Sequence, residues 1–382
     1  MANVEGQPLA NTARQPLPTL TGLRFVAASL VFLSHAGRIL TPHARSEMAW
    51  LVGGGHVGVG FFFLLSGFVL MWTARPGDTA RSFYRRRFAR IYPSHLTTWF
   101  VAALLVVLAD SPGASRLGAG LGAVLLQAWV PNQSVYYALN GVAWSLSAEM
   151  FFYLTFPLYA VRLLGLDARI RRAIALLSAG IIVVLAAVAS VHIPTGQLTH
   201  DQVAGTWLWA LYNLPLTRAL EFVIGVVLAI EVRNGLRLPH WSLTVGLVLV
   251  AGTFVLSGVV PSAYGIVAWT LLPFAVVILA SAGSDLRGEG TWFASSTWVL
   301  LGQWSFAFYL VHQMLIYLVL VHASPQGSLW AWAAEVLGLL LAAVVASAGL
   351  YYAIERPFER RLRRGKSHAR HSAATGAGVG AS

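Results

Sequence analysis

Ten stretches of predominantly apolar residues follow one another along the chain with only short polar breaks between them. They begin near Leu20, Val57, Ser94, Val142, Ala173, Leu216, Trp241, Tyr264, Thr297 and Leu329. A bilayer-spanning helix takes about 20 such residues, so a chain of 382 residues built this way has room for little else. Hydrophobic residues make up 57% and charged residues 10%, whereas a soluble domain carries roughly 25% charged residues. A water-soluble fold of this size has no core large enough to hide that much apolar surface. The fold class that remains is all-α: a polytopic membrane protein of about ten transmembrane helices. No segment is long and polar enough to form a separate soluble domain. Residues 1–19 read as an N-terminal cytoplasmic segment, 20–358 as one membrane unit, and 359–382 as a basic tail. Beyond Arg364 the tail is rich in Gly, Ala, Ser and His, a composition that predicts disorder.

Loop charge orients the helices. The formal net charge of +12 does not point to nucleic acid, because the basic residues sit in short loops and at the C-terminus, as the positive-inside rule requires. Arg75, Arg81, Arg85, Arg86, Arg87 and Arg90 follow the second stretch. Arg162, Arg169, Arg171 and Arg172 follow the fourth, Arg233 and Arg237 the sixth, and Arg360, Arg361, Arg363 and Arg364 the last. Ten spans place all four clusters on the cytoplasmic side, with both termini inside. An eleventh span over Leu117 to Val130 would split them, so that short, glycine-rich segment is expected to lie at the outer interface. The first apolar stretch is long enough to remain as a span, and no removed signal peptide is expected. The chain has no cysteine, which excludes disulfides, thiolate metal sites and acyl-cysteine intermediates. No internal repeat or inverted pair of interrupted helices of the transporter kind is visible.

Charges inside spans cost roughly 2.5–3.5 kcal/mol each on insertion scales and need a reason. Arg24 and His35 are eleven residues apart in the first span. They share one helix face, at a separation of roughly 16 Å along the axis. They form either a conduit, with a cation near the cytoplasmic entrance and proton chemistry deeper in, or a snorkelling arginine and a histidine bonded between helices. Glu149 opens the fourth span and must be neutral or paired. It can orient an imidazole, pair with an arginine or meet a hydroxyl-bearing substrate; gluing helices together is the structural alternative. Arg218 and Glu221, three residues apart, are expected to form an internal ion pair. His312, in Tyr309-Leu310-Val311-His312, is a reserve candidate, since a lone histidine on an apolar face is more often a bonded core residue. In Phe83-Tyr84-Arg85-Arg86-Arg87-Phe88-Ala89-Arg90, Arg87 and Arg90 have helical spacing suited to gripping a phosphate; anionic headgroups are the competing partner.

Taken in order, these segments resemble acyltransferase family 3, the integral-membrane acyltransferases. The resemblance runs from Leu20 to about Phe358. It rests on Leu20-Thr21-Gly22-Leu23-Arg24-Phe25 with His35, on Gly58 through Phe68, on Arg87-Phe88-Ala89-Arg90, on Trp144 to Glu149 with Phe152-Tyr153-Leu154, and on Ile354-Glu355-Arg356-Pro357-Phe358. Many members have aspartate where this chain has Gly60. If that carboxylate assists the histidine in those members, another group must do so here, or none does.

The resemblance implies transfer of an acyl group from acyl-CoA to a hydroxyl. The chain is similar to actinomycete enzymes that acylate macrolide antibiotics on ring or sugar hydroxyls, and acylation of cell-surface polysaccharide or peptidoglycan is the alternative. It also implies His35 as general base or as the site of an acyl-histidine intermediate. Arg24 would place the donor or stabilise the oxyanion, Glu149 would assist, and Arg87 and Arg90 would hold the acyl-CoA phosphates. No metal or permanently bound cofactor is expected. A secondary transporter is the rival of a different class, because buried charges also mark ion pathways; a non-catalytic scaffold would leave the aligned Arg24 and His35 unexplained.

Overall fold

The computed structural model describes residues 15–48, 57–74, 77–108, 115–193, 202–256 and 260–364. The expected disorder beyond Arg364 and most of the N-terminal segment lie outside the described residues. Within them the chain is all-helical, and no strand longer than a single bridge, Leu40 to Gln326, is present. Ten longer helices carry the architecture: α1 Pro18–Ala36, α2 Val57–Thr73, α3 Ala80–Leu108, α4 Trp144–Gly165, α5 Ala168–Ser190, α6 Pro215–Arg233, α7 Ser242–Val255, α8 Leu271–Leu286, α9 Ser296–His322 and α10 Leu329–Leu350. Each apolar stretch of the sequence contributes one of them.

Among the described residues, six helical segments are long and apolar enough to cross a membrane: Pro18–Ile39, Ala80–Leu108, Ala168–Ser190, Ser262–Leu286, Ser296–His322 and Leu329–Arg361. α2 and α7 are apolar but shorter, and α4 and α6 carry the buried charges discussed below. The bundle is apolar on its outside as well as its inside. Leu176 and Val184 on α5, Val161 on α4, Val107 on α3 and Val345 on α10 are 60% or more exposed. An apolar exterior this extensive is matched to lipid and not to water.

The two tightest crossings among the described residues need glycine. An added Cβ on Gly67 of α2 would meet the Phe222 carbonyl oxygen at 2.0 Å, and one on Gly225 of α6 would meet that of Leu64 at 1.9 Å. Gly22 of α1 and Gly302 of α9 make the same kind of approach, 2.1 Å to the Phe293 oxygen and 1.9 Å to the Thr21 oxygen. Backbones that touch this way gain packing that larger side chains would prevent, the usual basis of helix association in lipid. The second crossing sets α1 against α9, and with it the two histidines.

Leu117 to Val130 does not form a spanning helix. Its helix, Arg116–Ala123, has only 8 residues, about 12 Å, and Leu125 then takes a positive φ of 60° that stops it. A 3-10 turn at Gln127–Trp129 and a short helix at Gln133–Tyr136 follow. The segment folds over the end of the bundle where α1 ends.

Residues of three of the basic clusters are tied down at the opposite end. Arg90 near the start of α3 pairs with Glu355 and Glu359 of the C-terminal segment. Arg171 and Arg172 of α5 both pair with Glu231 of α6, and Arg233 donates to the Met71 carbonyl at the end of α2.

Candidate active site

Two cavities open toward the two ends of α1, and they share no lining residue. The first, about 580 Å³, lies under the Gln133–Tyr136 segment and is lined by His35, Arg38, Tyr137, Trp144, Tyr309 and Gln313 among others. The second, about 310 Å³, lies at the arginine end and holds Arg24, Ser66, Arg87, Arg90, Glu149 and Tyr153. Between them Phe62, in the wall of the second, meets the ring of Tyr309, in the wall of the first, edge-on at 6.0 Å. Arg24 and His35 therefore share a helix face, as their spacing requires, but face different chambers.

His35 is not alone. Its Nδ1 lies 2.9 Å from Nε2 of His312 on α9, and the two rings are nearly parallel, 9° apart. His312 is fully buried, and its Nδ1 lies 3.2 Å from the Phe308 carbonyl oxygen one turn earlier. That carbonyl only accepts, so His312 Nδ1 carries the proton and its Nε2 is an acceptor. His35 Nδ1–H must then donate to it, which leaves the His35 lone pair on Nε2. The tautomer of His35 is thus fixed by a chain that ends on the backbone, the role that a carboxylate plays in a hydrolytic triad. Phe32 and Phe308 pack on His312, holding the ring in place.

The Gly60 position answers the question posed by the family aspartate. A Cβ there would point at Glu221 Oε1, 3.2 Å away, and Arg218 Nη2, 3.5 Å away, so a side chain at 60 faces that pair and not His35. Arg218 and Glu221 form the buried ion pair expected of them, at 2.9 Å, with the guanidinium also over Phe63 and Tyr212. A carboxylate thus stands beside position 60, contributed by Glu221 of α6.

Glu149 sits with arginines and not with His35. It lines the chamber of Arg24 and Arg87, together with Ser66 and Tyr153. Of the two arginines expected to clamp a phosphate, Arg90 is already occupied: its Nη1 is 2.6 Å from Glu355, whose side chain is fully buried, and 2.8 Å from Glu359. The π-helical turn Tyr351–Glu355 turns Glu355 inward to reach it. Arg87 makes no ion pair among the described residues; its guanidinium lies 5.8 Å and 5.9 Å from the ring centres of Phe83 and Tyr153. The two roles predict different losses. Arg90→Ala strands a buried carboxylate, an error of about 3–5 kcal/mol, and is expected to lower the yield of folded protein in a detergent-stability assay. Arg87→Ala is expected to leave that yield near wild type.

The His312 partnership was not read from the sequence. The available signal was the stripe Ser305, Phe308, Tyr309 and His312, polar and aromatic residues at helical spacing on one face of α9. The carboxylate partners of Arg90 had a weaker one: Glu355 and Glu359, four apart in an otherwise basic segment.

A helical bundle with a histidine pair in one chamber and a group of arginines in another has the groups that group transfer needs, and comparison with known proteins gives the class. Residues 17–352 match the family described as "Acyltransferase domain", and the chain belongs to that family, acyltransferase family 3. It is 36% identical over 364 residues to the Acyltransferase MdmB of Streptomyces mycarofaciens, covering 91% of this chain and 93% of that one. No solved structure matches. The protein is an acyltransferase.

Proposed function

We propose that the protein is a ten-span O-acyltransferase that takes an acyl group from acyl-CoA at its cytoplasmic end and passes it to a hydroxyl of a sugar or secondary metabolite bound in the His35 chamber. The observation that carries this reading is the 2.9 Å bond between His35 and His312 in the wall of a chamber of about 580 Å³, a volume suited to a drug-sized molecule. The residues of three basic clusters tied down at the other end support cytoplasmic termini and a cytoplasmic donor.

In the proposed reaction His35 Nε2 removes the acceptor hydroxyl proton as the oxygen attacks the thioester carbonyl. The tetrahedral adduct then collapses, the carbon–sulfur bond breaks, and the departing thiolate takes the proton back from His35. His312 stays neutral and receives the His35 Nδ1–H bond throughout. Arg24 lies in the donor chamber, so it serves placement of the donor and not the oxyanion; Glu149 holds that cation-lined wall together. A macrolide hydroxyl is the acceptor favoured by the likeness to actinomycete macrolide acyltransferases.

Two measurements test the reading. Membranes containing the protein are expected to release free CoA thiol from acyl-CoA only when a hydroxyl acceptor is added, and a deletion strain is expected to accumulate an unacylated product by mass spectrometry. Thiol release that ignores the acceptor would overturn it. For the topology, reporter fusions after Arg87, Arg172 and Arg364 are all expected to read as cytoplasmic; an external signal at Arg172 would break the ten-span arrangement.

A further inference from the structure

A third cavity, about 880 Å³, adjoins the Arg24 chamber and shares Arg86 and Arg87 with it. It lies between the turn before α3, the end of α2 and one face of α4. Phe156, Pro157, Ala160, Val161 and Leu164 form that face, at spacings that put them on one side of a helix. Four arginines line it, Arg85, Arg86, Arg87 and Arg233, against one carboxylate, Asp78. Asp78 is taken by Arg86 at 2.8 Å, and Arg85, Arg87 and Arg233 form no ion pair among the described residues. Arg87 is held between the rings of Phe83 and Tyr153 and not by a carboxylate, and its buried Nε has no partner. Phe83 and Phe156 stack on each other at 5.4 Å in the same wall.

Excess positive charge over an apolar and aromatic wall fits a phosphate ester with a flat or apolar body. The neighbouring chamber, about 310 Å³, is at the small end for even a drug-sized ligand, and an acyl-CoA is larger. We propose that this third cavity binds the nucleotide end of the donor. Arg87, at the junction, meets the diphosphate; Arg233 and Arg85 meet the ribose phosphate, and the pantetheine arm leads inward past Arg24. This assignment rests on acyl-CoA being the donor. The same chemistry would also suit the headgroup of an anionic phospholipid, with Val161, 75% exposed, on the lipid side.

The test uses the purified full chain in nanodiscs of zwitterionic lipid. Adenosine 3′,5′-bisphosphate, which lacks both pantetheine and thioester, is expected to bind and to compete with acyl-CoA. Arg233→Gln is expected to raise KM for acyl-CoA roughly tenfold, the loss of about one charge-assisted bond, with kcat unchanged and KM for an acyl-pantetheine unchanged. Arg233→Lys should restore most of the difference, because it can still donate to the Met71 carbonyl. If Arg233→Gln does not fold, bisphosphate binding to wild type decides by itself. Equal changes with both donors, or no bisphosphate binding, would overturn the assignment. So would loss of co-purifying phosphatidylglycerol in Arg233→Gln with KM unmoved, which would make the occupant a lipid. Absence of turnover by wild type with either thioester would instead refute acyl-CoA as donor, and the assignment with it.

Discussion

His35→Ala is expected to abolish acyl transfer while expression and membrane insertion stay at wild-type levels. Imidazole is the only side chain whose unperturbed pKa lies near neutrality, so it takes a hydroxyl proton without first having to be ionised. A positioned base contributes roughly 100- to 10,000-fold, and the loss is larger if an acyl-histidine forms. His35→Gln is expected to fail as well. Glutamine can still donate to His312, but it cannot accept the acceptor's proton. Near-normal turnover by His35→Gln, measured as acceptor-dependent thiol release, would reduce His35 to a structural hydrogen-bonder and move the search for the base to another group in its chamber.

The second large effect belongs to His312. Replacing it by leucine removes the acceptor for His35 Nδ1–H and frees the ring to turn and to adopt the other tautomer. A wrongly held imidazole costs a triad enzyme about four orders of magnitude. Here His35 itself remains, and a loss of roughly 100-fold in kcat, the low end for base catalysis, is expected with KM little changed. His312→Gln should recover much of that loss, since its side-chain oxygen can occupy the position of Nε2 and accept the same bond. The conservative rescue separates positioning from packing: if glutamine and leucine are equally damaging, His312 is a core residue that happens to lie against His35.

Much of the architecture was legible because lipid enforces simple rules. A helix forms in each of the ten apolar stretches, six of the helical segments among the described residues being long and apolar enough to cross a membrane, and the internal ion pair of Arg218 with Glu221 forms where i, i+3 spacing put it. Legible too was that Leu117 to Val130 forms no long helix, for which glycine content and length were sufficient signals. What escaped were contacts between helices distant in sequence. His35 and His312 are 277 residues apart, and no period along either helix says that the two faces meet. Arg87 and Arg90 looked equivalent for the same reason. Their spacing is that of a clamp, and only the C-terminal π-turn, bringing Glu355 and Glu359 back to α3, separates a cation held by carboxylates from one held by rings. The position of Gly60 was readable as a departure from family pattern, but its meaning depended on α6 lying opposite.

The contact between Phe62 and Tyr309 has a consequence for the cell as a whole. On the two-sided reading proposed above, donor and acceptor reach polar chambers at opposite ends of the bundle. Joined, they would form a proton wire containing an imidazole pair, driven by roughly 2.3 kcal/mol for each charge and each 100 mV of membrane potential. On that reading the Phe62–Tyr309 contact is part of the barrier that keeps the two chambers apart. Whatever moves Phe62 to let a thioester approach His35 must do so with the acyl arm already filling the gap, so that the substrate itself serves as the plug.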